Sequence, residues 1–502
     1  PLHCAPQPDR PMPPAPPPEP SAVKPGLRPS LGLFTTVMMV VGGVIGSGIF
    51  RKPGVMAGQL GSPELLLAVW ALAGVITLFG ALTNAEIAAM IPETGGQYVY
   101  FERIYGPFTA FLYGWAVFAV IQTGSIAAIA YVFAEYATQW VHLPEWSGPA
   151  AGWSFHLPGI GDVAPLREFG IKVVAASLIL LLTAINYLGV KFGGLVQNVF
   201  TVAKVTAMAA LVLVAFLAPG VGTAANLTAD SPTLRPHGWL LLVGIAAALQ
   251  GAFWAYDGWN KLTYIAGEIR EPQRNIPRGL LIGLLMVTAV YLLMNLAFAY
   301  VLPVELMAQS KLVAADVAER CRAGGGKWIA MAVMVSTFGT VNATILATAR
   351  VYFSMARRGV FPRWLGRAHP RFHTPAASLG VQGLWSVALL FSGTFDTLTD
   401  TLIFVSWVFY AAGAFGLFVL RRKEPDTPRP YRVPGYPLVP GVFILFSVLY
   451  LALTLLHDIS SYRAALAAGR PAMLNALFGA ALVLAGTPIY WLYRKPRPPS
   501  DS

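Results

Sequence analysis

Apolar residues in this chain come in long unbroken runs, with no period-two alternation of the kind a β-barrel needs. Twelve runs approach the ~20 residues that carry a helix across a bilayer. They cover about 31–57, 65–90, 107–140, 171–190, 195–217, 239–266, 278–301, 328–357, 375–393, 399–420, 438–457 and 472–493, and are called segments 1 to 12 here. The pattern predicts an all-α integral membrane protein.

Composition agrees. Only 12% of the 502 residues are charged, against about a quarter in soluble domains, and the mean hydropathy is +0.60. Residues 1–30 hold 12 of the 40 prolines, which predicts a disordered Pro-rich cytoplasmic tail and no cleavable signal peptide. The missing initiator Met predicts a trimmed or fragmentary N-terminus. Cys4 and Cys321 are the only cysteines, so neither a disulfide framework nor a CxxC metal pair is expected.

A net charge of +12 raises the question of a nucleic-acid partner, but the placement of the charges argues for topology. Basic clusters follow segment 6 (Lys261, Arg270, Arg274, Arg278), segment 8 (Arg357, Arg358, Arg363, Arg367, Arg371) and segment 10 (Arg421, Arg422, Lys423). With the N-terminus inside, all three face the cytoplasm, as the positive-inside rule requires. They orient the chain and meet anionic lipid heads; no nucleic-acid partner is expected. The boundaries that follow are a tail at 1–30, spans 1–5 at 31–217, spans 6–10 at 239–420, a basic cytoplasmic loop at 421–437, spans 11–12 at 438–493 and a cytoplasmic tail at 494–502. The expected location is the cell inner membrane, with both termini cytoplasmic.

Segment 1 contains VVGGVIGSGIF, residues 40–50. Such a run fits a dinucleotide loop, a GxxxG packing face (Gly42, Gly46) or a helix that comes apart in the membrane. A dinucleotide loop needs a preceding strand, which a spanning segment does not supply. A broken helix in an inverted-repeat transporter demands a second break in the other half. Segment 6, five segments on, carries it at Ala255-Tyr256-Asp257-Gly258.

Five plus five inverted segments, followed by two more, bring both breaks together near the midplane. The N–H groups of Ser47 and Gly48 then open a half-helix whose positive end suits a carboxylate. Freed carbonyls around Val44 and across segment 6 suit an ammonium. A molecule offering both charges is an α-amino acid.

GGVIGSGIF, NAEIAAMIPETGGQYVY, AYDGWNKLTYIAGEIREPQRNIP and STFGTVNATILATARVYFSMAR together resemble the L-amino-acid transporter family of the amino acid–polyamine–organocation superfamily, over about residues 30–495. The resemblance implies a LeuT-type 5+5 inverted repeat with twelve transmembrane helices, helices 1 and 6 broken. It implies sodium-independent transport, most often antiport of neutral L-amino acids by alternating access. Carried over, the family's site puts the substrate carboxylate on Ser47 and Gly48, beside the hinge residue Gly46. The amino group meets carbonyls at Val44, Trp254 and Asp257, with Ala255 in the same break. Trp254 falls at the family's aromatic gate. Asp257 has two readings: a helix N-cap, or a carboxylate that helps a cationic substrate side chain.

Lys204 stands inside segment 5, where an unpartnered ammonium is costly; Gln197, Thr201 and Lys204 share a helix face. In the family a lysine here replaces the sodium ion that relatives bind between segments 1 and 8. Ser336, Thr340, Thr344 and Thr348 offer a hydroxyl stripe on segment 8, which either serves that site or bonds its own i−4 carbonyls.

Remaining features exclude or sharpen little. Glu86 and Glu135 lie near segment ends and face water or a partner, and Arg350 snorkels toward phosphates. Pocket walls are expected near Ala128 and Ile129, with small residues at 127 and 128 leaving room. No HExxH or GxSxG is present among the seven histidines and Ser47, so an enzyme is not expected, nor is a cofactor or metal. A proton-coupled symporter with Lys204 titrating, and a channel, remain as alternatives. Animal heteromeric members tether a heavy subunit through a cysteine between segments 3 and 4. Residues 141–170 contain none, so a stand-alone, bacterial-type chain without a disulfide-linked heavy subunit is expected.

Overall fold

The computed structural model describes residues 31–493 apart from 94, 144–152, 158–160, 189–192, 373, 394 and 469–472. The expected tails at 1–30 and 494–502, and the side chain of Gln197, lie outside the described residues. The helices are α1 (Leu33–Val44), α2 (Gly48–Leu60), α3 (Pro63–Met90), α4 (Gln97–Tyr105), α5 (Pro107–Ala137), α6 (Phe169–Leu188), α7 (Gly193–Leu217), α8 (Trp239–Tyr256), α9 (Lys261–Tyr264), α10 (Pro272–Val301), α11 (Val304–Gln309), α12 (Val313–Cys321), α13 (Gly325–Arg357), α14 (Ala376–Ser392), α15 (Phe395–Lys423), α16 (Leu438–Ala467) and α17 (Asn475–Tyr493).

Ten of these stretches are long and apolar enough to cross a membrane, α8 and α9 counting as one, and the bent pair α1–α2 makes eleven. The protein is a multi-pass membrane protein. The expected segment 9 forms only the 17-residue α14, shorter than the others. Prolines open α3, α5 and α10 at their first positions, where a missing N–H costs nothing. Ser62 caps α3 by accepting the Leu65 N–H at 3.4 Å.

Both expected interruptions are present. At the first, Ile45 is extended (φ −69°, ψ 92°), helix resumes at Gly48, and the two halves meet at 42°. At the second, Asp257 is extended (ψ 155°) and Gly258 sits at φ +106°, a left-handed value natural to glycine. A Cβ at Gly258 would also strike the Gly43 carbonyl. The two breaks therefore touch, Gly43 against Gly258 and Gly48 against Ala255.

α1 packs on α7 and α10, and α2 on α8, while α5 lies against α13. α5 carries one wide turn at Val117–Ile121, where the Thr123 hydroxyl bonds the carbonyl of Phe118 five residues back at 2.6 Å. Beneath the breaks, a short parallel bridge joins Leu31 to Ile269. It ties the start of segment 1 to the end of segment 6.

Candidate functional site

The first break exposes carbonyls, and other helices supply their donors. Lys204 on α7 is 5% exposed and its ammonium reaches Gly42 O at 3.3 Å, Ile45 O at 2.8 Å and Thr340 Oγ1 at 3.0 Å. Three acceptors match the three protons of an ammonium, which is how a charge survives at this depth. Thr201, on the same face, donates to Met38 O at 3.4 Å. Ser336 takes no part through its hydroxyl, which has no partner among the described residues; its carbonyl accepts from Thr340 at 2.9 Å.

The Val44 carbonyl is bound by Tyr291 on α10, whose hydroxyl lies 3.2 Å from Val44 O and 2.8 Å from Ala255 O. One phenol thus spans both breaks. Its ring is wedged edge-on between Trp70 and Tyr256, with centroids at 5.3 and 5.1 Å.

Past Ile45 the backbone N–H groups turn toward the second break. The first bonds of α2 run from Phe50 and Arg51 to Ser47 O at 3.1 and 3.2 Å, so Ser47, Gly48 and Ile49 present their N–H groups ahead of the helix. Ser47 and Gly48 line a small cavity of about 10 Å³, room for roughly one water, together with Val44, Gly46, Trp254, Asp257 and Lys261, and with Gly43, Ser125, Ile129 and Thr340. Every expected substrate residue except Ala255 lines it; Ala255 instead backs Gly48, where a Cβ would lie 2.5 Å from the Ala255 Cα. On α5 the wall is Ser125 and Ile129, not Ala128. The Ser47 hydroxyl and the Trp254 indole N–H are buried and unpartnered among the described residues.

Asp257 does not N-cap the second half-helix. It caps the end of α8, because the turn 257–260 intervenes before α9 begins at Lys261. Its carboxylate accepts the Tyr410 hydroxyl at 2.6 Å.

Lys261 is a second correction. Grouped by sequence with the basic cluster after segment 6, it lies inside the span Trp239–Tyr264, lines the cavity and donates to Thr344 Oγ1 at 3.1 Å. The helix restarts after the break, which carries the span past this residue. Along the hydroxyl stripe both kinds of contact occur, except at Ser336. Thr340, Thr344 and Thr348 each bond the carbonyl four residues back, and the first two also accept from Lys204 and Lys261.

The cavity is closed at both ends by different chemistry. Toward the Leu60 end, Arg51 pairs with Glu135 at 3.1 Å and Lys52 with Asp396 at 2.7 Å. Both cations lie over the ring of Phe395, which in turn meets Trp254 edge-on at 6.1 Å. Toward the Leu31 end the closure is neutral: Tyr113 bonds Gln97 at 2.6 Å and Tyr264 at 2.8 Å, and Asn260 bonds Gln97 at 3.1 Å.

Glu86 and Arg350 also find partners away from the cavity. Glu86 is fully buried and bound by Arg421 at 2.9 and 2.7 Å and by the Val433 N–H at 2.7 Å. Arg350 bonds Leu346 O at 2.9 Å and reaches Glu268 at 3.8 Å. Nearby, outside the spans, hydrogen bonds from Arg103 hold the Glu424 carboxyl below its ordinary range.

Residues 31–481 match the family model described as amino acid permease. The chain belongs to that family, in its L-amino-acid transporter branch. It is similar to the serine/threonine exchanger SteT of Bacillus subtilis (strain 168), at 31% identity over 94% of this chain and 98% of that one. It is also similar to the human b(0,+)-type amino acid transporter 1, 32% identical over 84% and 82%. A third relative is the mouse large neutral amino acids transporter small subunit 2, 33% identical over 93% and 81%. Amino-acid transport is what these relatives share, and the cavity between the breaks is the permease's candidate substrate site.

Proposed function

We propose that this permease is a sodium-independent antiporter of neutral L-amino acids, working by alternating access on a LeuT-type 5+5 repeat of twelve spans. One observation carries the reading: a closed cavity between two broken helices, with free N–H groups at one break and the carbonyls of both breaks close by. Ser47 and Gly48 bind the substrate carboxylate, beside the hinge at Gly46. The amino group meets Val44 O, which keeps a lone pair beyond the one Tyr291 uses, and carbonyls of the second break. Trp254 closes over the substrate.

Lys204 substitutes for sodium. Its fixed ammonium occupies carbonyls that a mobile cation would need, with Thr340 as the contact on α13. The activity for which the Bacillus relative is named, serine/threonine exchange, favours exchange over net uptake.

The twelve-span count takes α14 as a short span; its 17 residues rise about 26 Å. Both termini are cytoplasmic, which the basic clusters after segments 8 and 10 support, and the membrane is the cell's inner one. With no cysteine among residues 141–170, the chain works without a disulfide-linked heavy subunit.

Counterflow of labelled threonine into proteoliposomes tests the proposal. Uptake is expected only with amino acid inside, unchanged when choline replaces sodium, and without single-channel conductance. Net uptake into empty vesicles driven by a pH gradient would replace exchange with proton symport.

A further inference from the structure

The cavity's lining includes one carboxylate, Asp257, and one ammonium, Lys261. They stand four residues apart across the second break, Asp257 aimed by Tyr410 and Lys261 by Thr344. The hydrogen bond of Lys261 goes to Thr344, and its ammonium shares the lining of one cavity with the carboxylate. A second ammonium, Lys204, is held one turn along the same stripe, at Thr340.

A lone buried carboxylate would draw a cation into this cavity, because charges interact strongly where water is excluded. Here the cation is already supplied by the chain. We propose that Lys261 is the built-in counter-charge of Asp257 and bars amino acids with cationic side chains, while leaving the zwitterion's anchors at the first break untouched. The proposal rests on the amino-acid transport reading above and names its side-chain specificity.

The chemistry is direct. A guanidinium or ammonium entering beside Lys261 meets a like charge in a low dielectric, and its natural partner is already compensated. A neutral side chain meets neither penalty. Removing the Lys261 charge leaves Asp257 uncompensated, and an arginine or lysine side chain then becomes its best partner.

Inhibition of labelled threonine counterflow by excess arginine tests this. Wild-type protein is expected to ignore arginine. Lys261→Gln is expected to be inhibited at concentrations lower by about tenfold or more, the equivalent of ~1.4 kcal/mol, Lys261→Arg is expected to behave as wild type, and Asp257→Asn added to Lys261→Gln is expected to abolish the inhibition. Lys261→Met carries the same test if Lys261→Gln does not insert. Arginine competing in the wild type, or a Lys261→Gln protein that still ignores it, overturns the proposal. If the wild type shows no counterflow of any amino acid, the transport reading fails instead. Thermal stabilisation by arginine of the purified Lys261→Gln protein, against the wild type, then decides the inference.

Discussion

The two breaks solve one problem in different ways. Each opens the hydrogen-bond ladder of a helix inside a membrane, where an unmet backbone group costs several kcal/mol. The first break, Ile45 to Ser47, has no charged side chain of its own and borrows its donors. Lys204 arrives from α7 and Tyr291 from α10. The second break carries Asp257 and, immediately after it, Lys261, and its sharp turn is made by Gly258. Both breaks draw on the bundle, since Tyr291 also bonds Ala255 O and Tyr410 holds Asp257, but only the second brings charges of its own. At the first break other helices supply the donors for Gly42 O, Ile45 O and Val44 O, so its support depends on how the bundle is arranged.

Removing the borrowed support of the first break should have the largest effect. Lys204→Ala removes the ammonium from Gly42 O and leaves Ile45 O with only the longer 3.4 Å bond from Thr340; at about 1–3 kcal/mol for such groups, exchange should fall by roughly 100-fold. The protein should still elute as a folded species in detergent. Near-normal counterflow would remove Lys204 from the mechanism.

Gly48→Val tests the contact between the breaks. Its Cβ would press on the Ala255 backbone at 2.5 Å, and a β-branched side chain cannot yield there. Substrate-dependent thermal stabilisation should disappear while the unliganded protein remains soluble. If binding survives and only self-association is lost, the glycines of segment 1 serve helix packing.

Tyr291→Phe takes one hydroxyl from both breaks at once. Its loss should cost about 1–3 kcal/mol, read as a lower melting temperature and a roughly tenfold loss of exchange. An effect on exchange without one on stability would mean that the hydroxyl controls the break without holding it.

The smallest effect belongs to a pair remote from both breaks. Glu424→Gln should lower stability by less than about 1 kcal/mol and leave exchange unchanged. The Glu424 carboxyl is depressed by Arg103, so its contribution is present above the unfolded-state pKa and lost as pH falls through the lowered value. A transport defect in this variant would show that the contrast between the breaks is not specific.

Much of the site was legible because it is local. Glycine clustering in segment 1 and Asp257-Gly258 in segment 6 mark helix interruption through backbone sterics that neighbouring residues dictate. A lysine in the middle of an apolar run must find acceptors, so Lys204 announced itself. Lys261 carried a weaker signal, four residues after Asp257, but it was grouped by charge with the cytoplasmic cluster although the apolar run 239–266 contains it.

Tyr291 had no signal at all. A tyrosine in an apolar helix is common, and nothing near it says which carbonyl it will meet. Tyr410 and Asn260 were silent for the same reason.

By itself the sequence determined the membrane class, the two interruptions and the family, since these follow from composition, local sterics and motifs. Tertiary structure alone decided which donors satisfy which freed carbonyls and that Gly48 abuts Ala255. It also decided that Asp257 ends one half-helix instead of starting the next, and that Lys261 faces the cavity. Those facts depend on distances between residues far apart in the chain, and hydrogen bonds and packing act on distances that no local pattern encodes.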